Sequence, residues 1–528
     1  MMRTRISRVA TALAAAGMLG GSVLTGLADA APTPAFGSCP DGSVPEGAGV
    51  QCAVISVPMN HAEPDGARID LTVSRIAATG ERHGVVFTNP GGPGADSLAY
   101  WAQRIEVMPA ELNAHYDRIA VQPRGLRWAT PLRCVSKTEN AEGQQVSIGG
   151  GSRDEIKKAC DAAQPGYLDT ITTENTARDM EAVRAALGIE RISYLGTSYG
   201  TYLGAVYASL FPDRVERMVL DSNVHPDWVW TEEFAQQQAA GKQRLDDLFA
   251  WIAEHNGEYR LGDTALRVYQ NWVRLVSAQG GGWYANLTPP PASVADLPGE
   301  LPEPLAELAR DGYNGTMEQG GKLQNLVRTL ISGGGSAQVP LVGATAVATY
   351  TRSFWPTFAR AMSDANGDPA NVQRLLAIEG ATATDPTGRF VFSAITCNEN
   401  AVPGRPELIG AAIGTIASGG NAMDARADLV RAGLSCGSWR PIADPVPLTG
   451  IGLRTKPLVL QSRHDALTPY EGGPAMARAL QGSLVTVEGG DHGTFGRGNP
   501  AVDDAVLTYL RTGQVTVTHA DQAPLPTR

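Results

Sequence analysis

This chain has no excess of positive charge. Its 43 Lys and Arg residues are outnumbered by 54 Asp and Glu residues, which gives a formal net charge of −11. A protein with this balance is repelled by the phosphates of nucleic acids and by anionic lipid surfaces. The composition therefore argues against nucleic acid and membranes as partners.

The chain also lacks the cysteine spacing of a zinc site. None of its six cysteines forms a Cys-x2-Cys pair, so we expect no metal. An even number of cysteines is typical of disulfides in an exported protein, although a catalytic cysteine stays open at this point. Six cysteines allow fifteen connectivities, of which closeness in sequence favours Cys39–Cys52, Cys134–Cys160 and Cys397–Cys436.

Long apolar runs are missing beyond the first 27 residues. At the N-terminus, three arginines within residues 3–8 precede the apolar segment 9–27 and a small-x-small sequence at residues 28–30. This order is typical of a cleaved export signal. We therefore expect a signal peptide over residues 1–30 and a secreted mature chain from Ala31, with no membrane span after cleavage.

The most informative motif is Gly-x-Ser-x-Gly at residues 196–200. An apolar strand is predicted over residues 189–195 and a helix over residues 201–210, so the motif lies where a strand turns into a helix. A sharp turn of that kind lifts the serine hydroxyl clear of the backbone, where it can attack a carbonyl carbon. The alternative is a glycine-rich turn that carries a serine by chance. The flanking elements favour Ser198 as a nucleophile.

Helices and strands alternate on both sides of this motif, which is typical of an α/β fold. We expect a mostly parallel sheet flanked by helices, with eight strands at residues 52–57, 69–76, 84–88, 118–121, 189–195, 217–220, 457–461 and 484–487. Between the sixth and seventh strands the pattern becomes mainly helical, which predicts a large inserted helical cap. The expected division is core at residues 31–227, cap at 228–440 and core again at 441–528.

A serine hydroxyl needs a base to accept its proton, and the base needs an acid to orient it. Among the eight histidines, His492 stands out because it follows a predicted strand in a glycine-rich loop. Asp465 also follows a strand and is the candidate acid. Asp221 ends a strand and remains an alternative, whereas Asp491 is too close in sequence to orient the ring of its neighbour. The order Ser198, Asp465, His492 is the chain order of α/β-hydrolases.

Attack by serine creates a negatively charged oxygen that needs preplaced N–H donors. Gly91 and Gly92 lie in a Pro- and Gly-rich turn after the third strand, where the backbone can approach the reacting atoms. We expect these glycines and the N–H of Tyr199 to form the oxyanion hole. A plain turn or a phosphate-binding loop is the alternative, but no phosphate-binding motif accompanies the turn.

These residues resemble the secreted bacterial tripeptidyl aminopeptidases, relatives of prolyl aminopeptidase among the serine peptidases of the α/β-hydrolase superfamily. The resemblance covers nearly the whole mature chain and implies a cap over the active site. It rests on Asn-Pro-Gly-Gly-Pro-Gly at residues 89–94, Gly-Thr-Ser-Tyr-Gly-Thr-Tyr at 196–202, Ile-Thr-Cys-Asn at 395–398, Asp-Ala-Leu-Thr-Pro at 465–469 and Gly-Asp-His-Gly at 490–493.

The chain is accordingly predicted to be a secreted serine exopeptidase that cleaves peptide bonds near the free N-termini of peptides or proteins. It would use a Ser-Asp-His triad and an acyl-enzyme, with no metal or organic cofactor. A secreted carboxylesterase or acyl hydrolase with the same triad is the alternative, because acyl chemistry does not separate esters from amides. A non-catalytic binding protein is a further alternative, but a decayed site would have lost a triad residue.

One loop departs from the family pattern, and it bears on substrate binding. The family usually has Asp-x-Arg-Gly-x-Gly-x-Ser after the fourth strand, whereas residues 122–129 read Gln-Pro-Arg-Gly-Leu-Arg-Trp-Ala. Trp128 is therefore a candidate to line the pocket or to fill the altered turn. An aminopeptidase must also bind an ammonium group with a carboxylate. Glu399 is the first candidate, followed by Glu232 and Glu233; solvated acidic residues on the cap are the alternative.

Overall fold

The computed structural model describes residues 34–134, 137–139, 145–147, 152–297, 299, 302–332, 339–366 and 386–525. The expected signal peptide over residues 1–30 lies outside the described residues and stays a prediction. Within the described ranges, no helix combines the length and apolar character needed to cross a membrane.

A nine-stranded sheet forms the centre of the fold, in the order β1-β2-β4-β3-β7-β8-β9-β10-β11. The strands are β1 (Gln51–Pro58), β2 (Arg68–Ile76), β3 (Gly84–Asn89), β4 (Tyr116–Val121), β7 (Ile192–Ser198), β8 (Val215–Asn223), β9 (Leu458–Ser462), β10 (Ser483–Glu488) and β11 (His519–Asp521). β2 pairs antiparallel with β1 and with β4, and the other neighbours are parallel. A separate antiparallel hairpin consists of β5 (Lys137–Glu139) and β6 (Gln145–Ser147).

All eight predicted strands are present, but the prediction that the sheet has eight strands was wrong. β11 adds a ninth at the edge, where it pairs in parallel with the end of β10. Its three residues contain a single apolar side chain, Ala520, which is buried. So short a strand leaves neither an apolar run nor an alternating pattern in the sequence.

Helices surround the sheet and fill most of the chain between β8 and β9. In the described part of the chain, the α-helices are α1 (Tyr100–Gln103), α2 (Ala110–His115), α3 (Arg153–Ala163), α4 (Thr173–Ala186), α5 (Tyr199–Leu210), α6 (Thr231–Glu254), α7 (Asn256–Tyr259), α8 (Ala265–Ala278), α9 (Glu303–Ser332), α10 (Pro340–Tyr350), α11 (Trp355–Ala365), α12 (Pro386–Asn398), α13 (Leu408–Ala417), α14 (Ala422–Arg431), α15 (Gly472–Leu480) and α16 (Pro500–Thr512).

Buried apolar side chains cover both faces of the sheet. Val85 and Phe87 of β3 belong to one cluster and Val86 to another, and alternate residues of a strand point to opposite faces. The first cluster lies against α4 and α5, and the second lies against α16. The sheet is therefore a buried central layer between helices.

The helices between β8 and β9 do not all pack in the same place. α6, α8, α10 and α11 contribute to a third apolar cluster of their own. α12 differs, because Phe390, Val391, Ala394 and Ile395 pack into the first cluster of the sheet. α12 therefore packs against the sheet, although it lies inside the predicted cap. The cap boundaries at residues 228 and 440 stay a prediction.

The three predicted disulfides are confirmed. The structure joins Cys39 to Cys52, Cys134 to Cys160 and Cys397 to Cys436, and the described residues contain no free cysteine.

Candidate active site

The motif around Ser198 forms a sharp turn between β7 and α5. Ser198 has φ of 59° and ψ of −130°, a conformation that costs a non-glycine residue roughly 1–3 kcal/mol. A methyl group at Gly196 would collide with the carbonyl oxygen of Gly200, and one at Gly200 with that of Asn89. The two glycines of the motif are therefore required for the turn that exposes the serine.

His492 and Asp465 form a buried pair. Nδ1 of His492 lies 3.0 Å from both carboxylate oxygens of Asp465. The N–H groups of Leu467 and Thr468 donate to Oδ1 of Asp465 at 2.9 and 3.0 Å, and the Thr468 hydroxyl donates to Oδ2 at 3.0 Å. Burial alone would raise the pKa of Asp465, but the adjacent imidazole and these donors hold it below its usual value. The carboxylate therefore stays ionised and fixes the imidazole.

The loop that carries His492 lies beside the serine turn. The N–H of Gly493 donates to Oγ of Ser222 at the end of β8, at 2.8 Å. A methyl group at Gly493 would lie 3.2 Å from Cγ2 of Thr197, the residue before Ser198. The structure thus brings the loops of Ser198, Asp465 and His492 together at the carboxyl ends of β7, β9 and β10.

The alternative acids have other partners. Asp221 accepts hydrogen bonds from the N–H groups of Thr494 and Phe495 at 2.7 and 2.9 Å, and from the Thr494 hydroxyl at 2.9 Å. Burial raises the pKa of Asp221. Asp491 accepts from the backbone N–H of Arg352 at 2.6 Å. Asp221 therefore binds the histidine loop at Thr494 and Phe495. The carboxylate that contacts the imidazole is that of Asp465.

The glycine turn after β3 contacts the serine directly. A methyl group at Gly91 would lie 2.7 Å from Cβ of Ser198 and 3.1 Å from the backbone nitrogen of Tyr199. Gly91 and Gly92 have φ of 103° and 108°, which favour glycine. The N–H of Gly91 donates to Oδ1 of Asn89 at 2.9 Å, whereas that of Gly92 has no partner among the described residues. Of the two predicted glycine donors, Gly92 is therefore the better candidate.

Two of the three candidate carboxylates are buried. Glu399 accepts a hydrogen bond from the N–H of Thr173 at the start of α4, and burial raises its pKa to about 7. Glu233 is 1% exposed, and its Oε2 accepts from the N–H of His225 at 3.2 Å. Its Oε1 has no partner among the described residues. Burial raises the pKa of Glu233 well above its usual value, and the nearby charge of Asp465 raises it further.

Glu232 is the exception because it is only partly buried and already paired, and its role in substrate binding stays a prediction. Its carboxylate accepts three hydrogen bonds from Arg431, at 2.8, 3.0 and 3.2 Å, and one from Gln236 at 2.6 Å. Its charge is thus already compensated by a neighbouring helix. Glu233, one residue further along α6, carries the free oxygen instead.

Trp128 fills the altered turn after β4. It has φ of 65°, its carbonyl oxygen accepts a hydrogen bond from Thr72, and the guanidinium of Arg127 lies 4.2 Å from the centre of its ring. Gln122 stands where the family has an acid, and it joins two loops by accepting from Ser97 and donating to Arg127. These contacts favour the second of the two roles considered for Trp128.

Two contributors were not identified as site residues from the sequence. Thr468 lies in the recognised Asp-Ala-Leu-Thr-Pro motif, so its position was a signal for a role beside Asp465. Tyr350 ends α10, and its ring packs edge-on against the imidazole of His492, with the ring centres 5.8 Å apart. Nothing local in the sequence around Tyr350 indicates this contact, because it depends on how α10 packs.

Among the described residues, His, Cys, Asp and Glu side chains do not gather in groups of three or more that could hold a metal ion. The expectation that no metal or organic cofactor is needed stays a prediction.

Known proteins are similar in sequence to most of this chain. The family model described as alpha/beta hydrolase fold matches residues 84–289, and the one described as TAP-like protein matches residues 422–522. The tripeptidyl aminopeptidase of Streptomyces lividans is 31% identical over 498 residues, which cover 90% of this chain and 84% of the relative. The chain belongs to the tripeptidyl aminopeptidase family. It is therefore a serine peptidase of the α/β-hydrolase type.

More distant relatives have names from two classes of hydrolase. Serine protease Hip1 of Mycobacterium tuberculosis is 27% identical over 513 residues, covering 91% of this chain and 88% of the relative. Carboxylesterase B of the same organism is 27% identical over 505 residues, covering 90% and 86%.

Proposed function

We propose that this peptidase is a secreted exopeptidase that cleaves peptide bonds near free N-termini, with Ser198 as nucleophile, His492 as base and Asp465 as orienting acid. The observation that carries the proposal is the buried Asp465–His492 pair beside the strained turn of Ser198. The name of the Streptomyces relative supports a peptide substrate with a free N-terminus.

The geometry supports a two-step acyl transfer. Asp465 binds Nδ1 of His492, which leaves Nε2 to accept the proton of the Ser198 hydroxyl as that oxygen attacks the peptide carbonyl carbon. The protonated imidazole then gives the proton to the leaving amine, and an acyl-enzyme remains. Water, deprotonated by the same imidazole, attacks the ester and releases the N-terminal fragment.

The oxyanion of each tetrahedral intermediate is assigned to two backbone donors. The N–H of Tyr199 is the first donor, because it follows the nucleophile at the start of α5. The N–H of Gly92 is the second donor, because its turn lies against Ser198 at Gly91. The N–H of Gly91 itself already donates to the side chain of Asn89. Removing one donor of this kind typically costs about 3–4 kcal/mol of transition-state stabilisation.

Glu233 is our candidate for binding the substrate ammonium group. It lies on α6 next to the Asp465 loop, since Gln237, one turn further along α6, donates to the carbonyl oxygen of Leu467 at 2.5 Å. Burial favours the protonated carboxyl, whereas an incoming ammonium favours the carboxylate; on binding, the proton of Glu233 would be released to solvent and its unpartnered oxygen would accept from the ammonium. Glu399 is the second candidate, but the N–H of Thr173 already bonds its carboxylate.

The substitution Glu233→Gln tests this assignment. A charge-assisted hydrogen bond contributes about 1.5–3 kcal/mol, so we expect KM for a free tripeptidyl amide to rise roughly tenfold to a hundredfold. Hydrolysis of the N-acetylated amide should be unchanged, because that substrate carries no ammonium. Steady-state kinetics on the two substrates measures both effects.

Glu232→Gln is the matched control, because Glu232 is adjacent in sequence but bound to Arg431; its KM should stay within about twofold. If Glu399→Gln raises KM for the free amide and Glu233→Gln does not, the anchor is Glu399. If neither variant separates the two substrates, the ammonium site is elsewhere.

A carboxylesterase is the second candidate function, favoured by the relative named carboxylesterase B. A short-chain ester added to the same substrate panel distinguishes the two functions. An exopeptidase should prefer the free tripeptidyl amide to its acetylated form. An esterase should hydrolyse the ester rapidly and leave both amides uncleaved.

Secretion is part of the proposal, and the three disulfides support it because such bonds persist in oxidising compartments. The mass of the protein recovered from the culture medium should correspond to a chain that begins at Ala31.

A further inference from the structure

The helices inserted between β8 and β9 hold His492 directly. The backbone N–H of His492 donates to the carbonyl oxygen of Tyr350, the last residue of α10, at 2.8 Å. The ring of Tyr350 also packs at 89° to the imidazole plane. The backbone position of the histidine therefore depends on a segment more than 100 residues away in sequence.

Asp491 strengthens this connection on the side of the inserted helices. Its Oδ1 accepts one hydrogen bond from the backbone N–H of Arg352 at 2.6 Å and another from Nη2 of Arg244 at 3.2 Å. Its own carbonyl oxygen accepts from the hydroxyl of Ser462 at the end of β9, at 2.7 Å. Asp491 is thus bonded to the insertion through its side chain and to the sheet through its backbone.

Arg244 is a buried cation, and its ion pair with Asp491 partly compensates its charge. Its side chain is 2% exposed, and its guanidinium lies 4.5 Å from the centre of the Trp355 ring. A methyl group at Gly490 would lie 2.6 Å from Cζ of Arg244, so the glycine before Asp491 is needed for this close approach. Asp247 faces the guanidinium from α6 itself, at 3.6 Å. Removing either carboxylate leaves the buried cation partly uncompensated.

We propose that Asp491 is a positioning residue that fixes the peptide groups around His492 to α6 and to the Tyr350–Arg352 segment. The side-chain bonds of Asp491 lie next to the peptide group that joins Asp491 to His492. Arg497 donates to the carbonyl oxygen of His492 at 2.9 Å and so holds the peptide group that follows His492. Displacement of the base from the nucleophile by about 1 Å costs about a hundredfold in rate. This inference rests on the proposed role of His492 as base.

The experiment compares Asp491→Asn, Asp491→Ala and Asp247→Asn with the wild-type protein. Asp491→Asn keeps an acceptor for the Arg352 N–H but removes the charge that faces Arg244. Asp247→Asn is the control, because it also removes a carboxylate from Arg244 and lies outside the histidine loop, although it loses a second contact as well, with Nδ1 of His464 at 2.8 Å. The second-order rate constant for labelling of Ser198 by a fluorophosphonate reports the alignment of base and nucleophile without a peptide. The Tm of each variant reports stability.

We expect labelling to slow roughly tenfold in Asp491→Asn and roughly a hundredfold in Asp491→Ala, and to stay within about threefold in Asp247→Asn. On a peptide substrate, kcat of Asp491→Asn should fall with KM unchanged, because the ammonium site is intact. If the two asparagine variants lose similar amounts of Tm but only Asp491→Asn is labelled slowly, the slower labelling does not come from lower stability.

Asp491→Asn labelled at the wild-type rate would overturn the proposal, and so would equal slowing in Asp247→Asn. If Asp491→Ala does not fold, the comparison of the two asparagine variants still decides. Wild-type protein that is not labelled at all would instead contradict the proposed triad.

Discussion

Ser198 adopts a backbone conformation that few residues other than glycine tolerate. The surrounding packing holds it there, because Gly196 and Gly200 leave room for the carbonyl oxygens that face them. The two glycines of the motif are therefore required for steric reasons, and the serine for chemical ones. The five-residue pattern located the nucleophile candidate only together with the predicted strand before it and the predicted helix after it.

Gly200→Ala tests that requirement. The added methyl group would collide with the carbonyl oxygen of Asn89, so we expect the free energy of unfolding to fall by about 1–3 kcal/mol. Labelling of Ser198 by a fluorophosphonate should fall with it. Guanidinium unfolding and labelling rates measure the two effects.

Gly241→Ala is the control, because Gly241 lies inside α6 with open space around it. That variant should be neutral or more stable by up to about 1 kcal/mol, since alanine favours helix. A Gly200→Ala protein as stable and as reactive as the wild type would contradict the steric argument.

Among the helices and strands, the sequence predicted the features that depend on local patterns. The eight longer strands have apolar runs, and the helix before the serine turn has an apolar face. Glu232 and Glu233 show the limit. They are neighbours at the start of α6, where helical rotation turns adjacent side chains by about 100°, so only the packing of α6 determines which one faces the interior. Asp221 and Asp465 likewise both follow strands, and only the fold decides which carboxylate contacts His492.

The disulfide Cys397–Cys436 gives an element-scale prediction, because it fixes the end of α12. Replacing both cysteines by alanine should lower the free energy of unfolding by about 2–4 kcal/mol. The Cys39–Cys52 pair is the internal comparison: it spans 13 residues against 39. Loop-closure entropy then predicts a loss smaller by about 1 kcal/mol. Denaturant unfolding of the two double variants tests this, and a larger loss for the shorter loop would contradict it.

At the scale of the whole molecule, the active site joins segments that are far apart in sequence. The serine, acid and histidine follow three strands, and more than 200 residues, mostly helical in their described part, separate β8 from β9. The order of strands predicts that these ends meet, because parallel strands place their carboxyl ends at one edge. The contacts of Tyr350, Arg352 and Arg244 with the histidine loop were not predictable, since they depend on how distant helices pack.

The stability of the whole fold should depend on pH through Glu399. Its pKa is raised to about 7 in the folded protein, so the folded state binds this proton more tightly than the unfolded state. The contribution is present at low pH and is lost as pH rises toward and through 7. Relative to Glu399→Gln, the wild type should lose stability between pH 5 and 8 by an amount on the order of 3 kcal/mol.

Glu232→Gln is the comparison of opposite sign. Burial opposes ionisation of Glu232, but the bonds from Arg431 and Gln236 lower its pKa overall. Its contribution is lost only as pH falls through that lowered pKa, so the difference from wild type should be flat between pH 5 and 8. A wild-type profile parallel to that of Glu399→Gln over this range would show that Glu399 titrates normally.

The packing of α12 links the glycine turn beside Ser198 to the core of the sheet. A methyl group at Gly388 would lie 2.7 Å from the carbonyl oxygen of Gly94, so α12 touches the glycine turn beside Ser198 while its apolar side chains belong to the sheet. α12 cannot move away from this turn without disrupting the apolar cluster on that face of the sheet. A change that displaced α12 would therefore disturb the apolar core and the candidate oxyanion hole together.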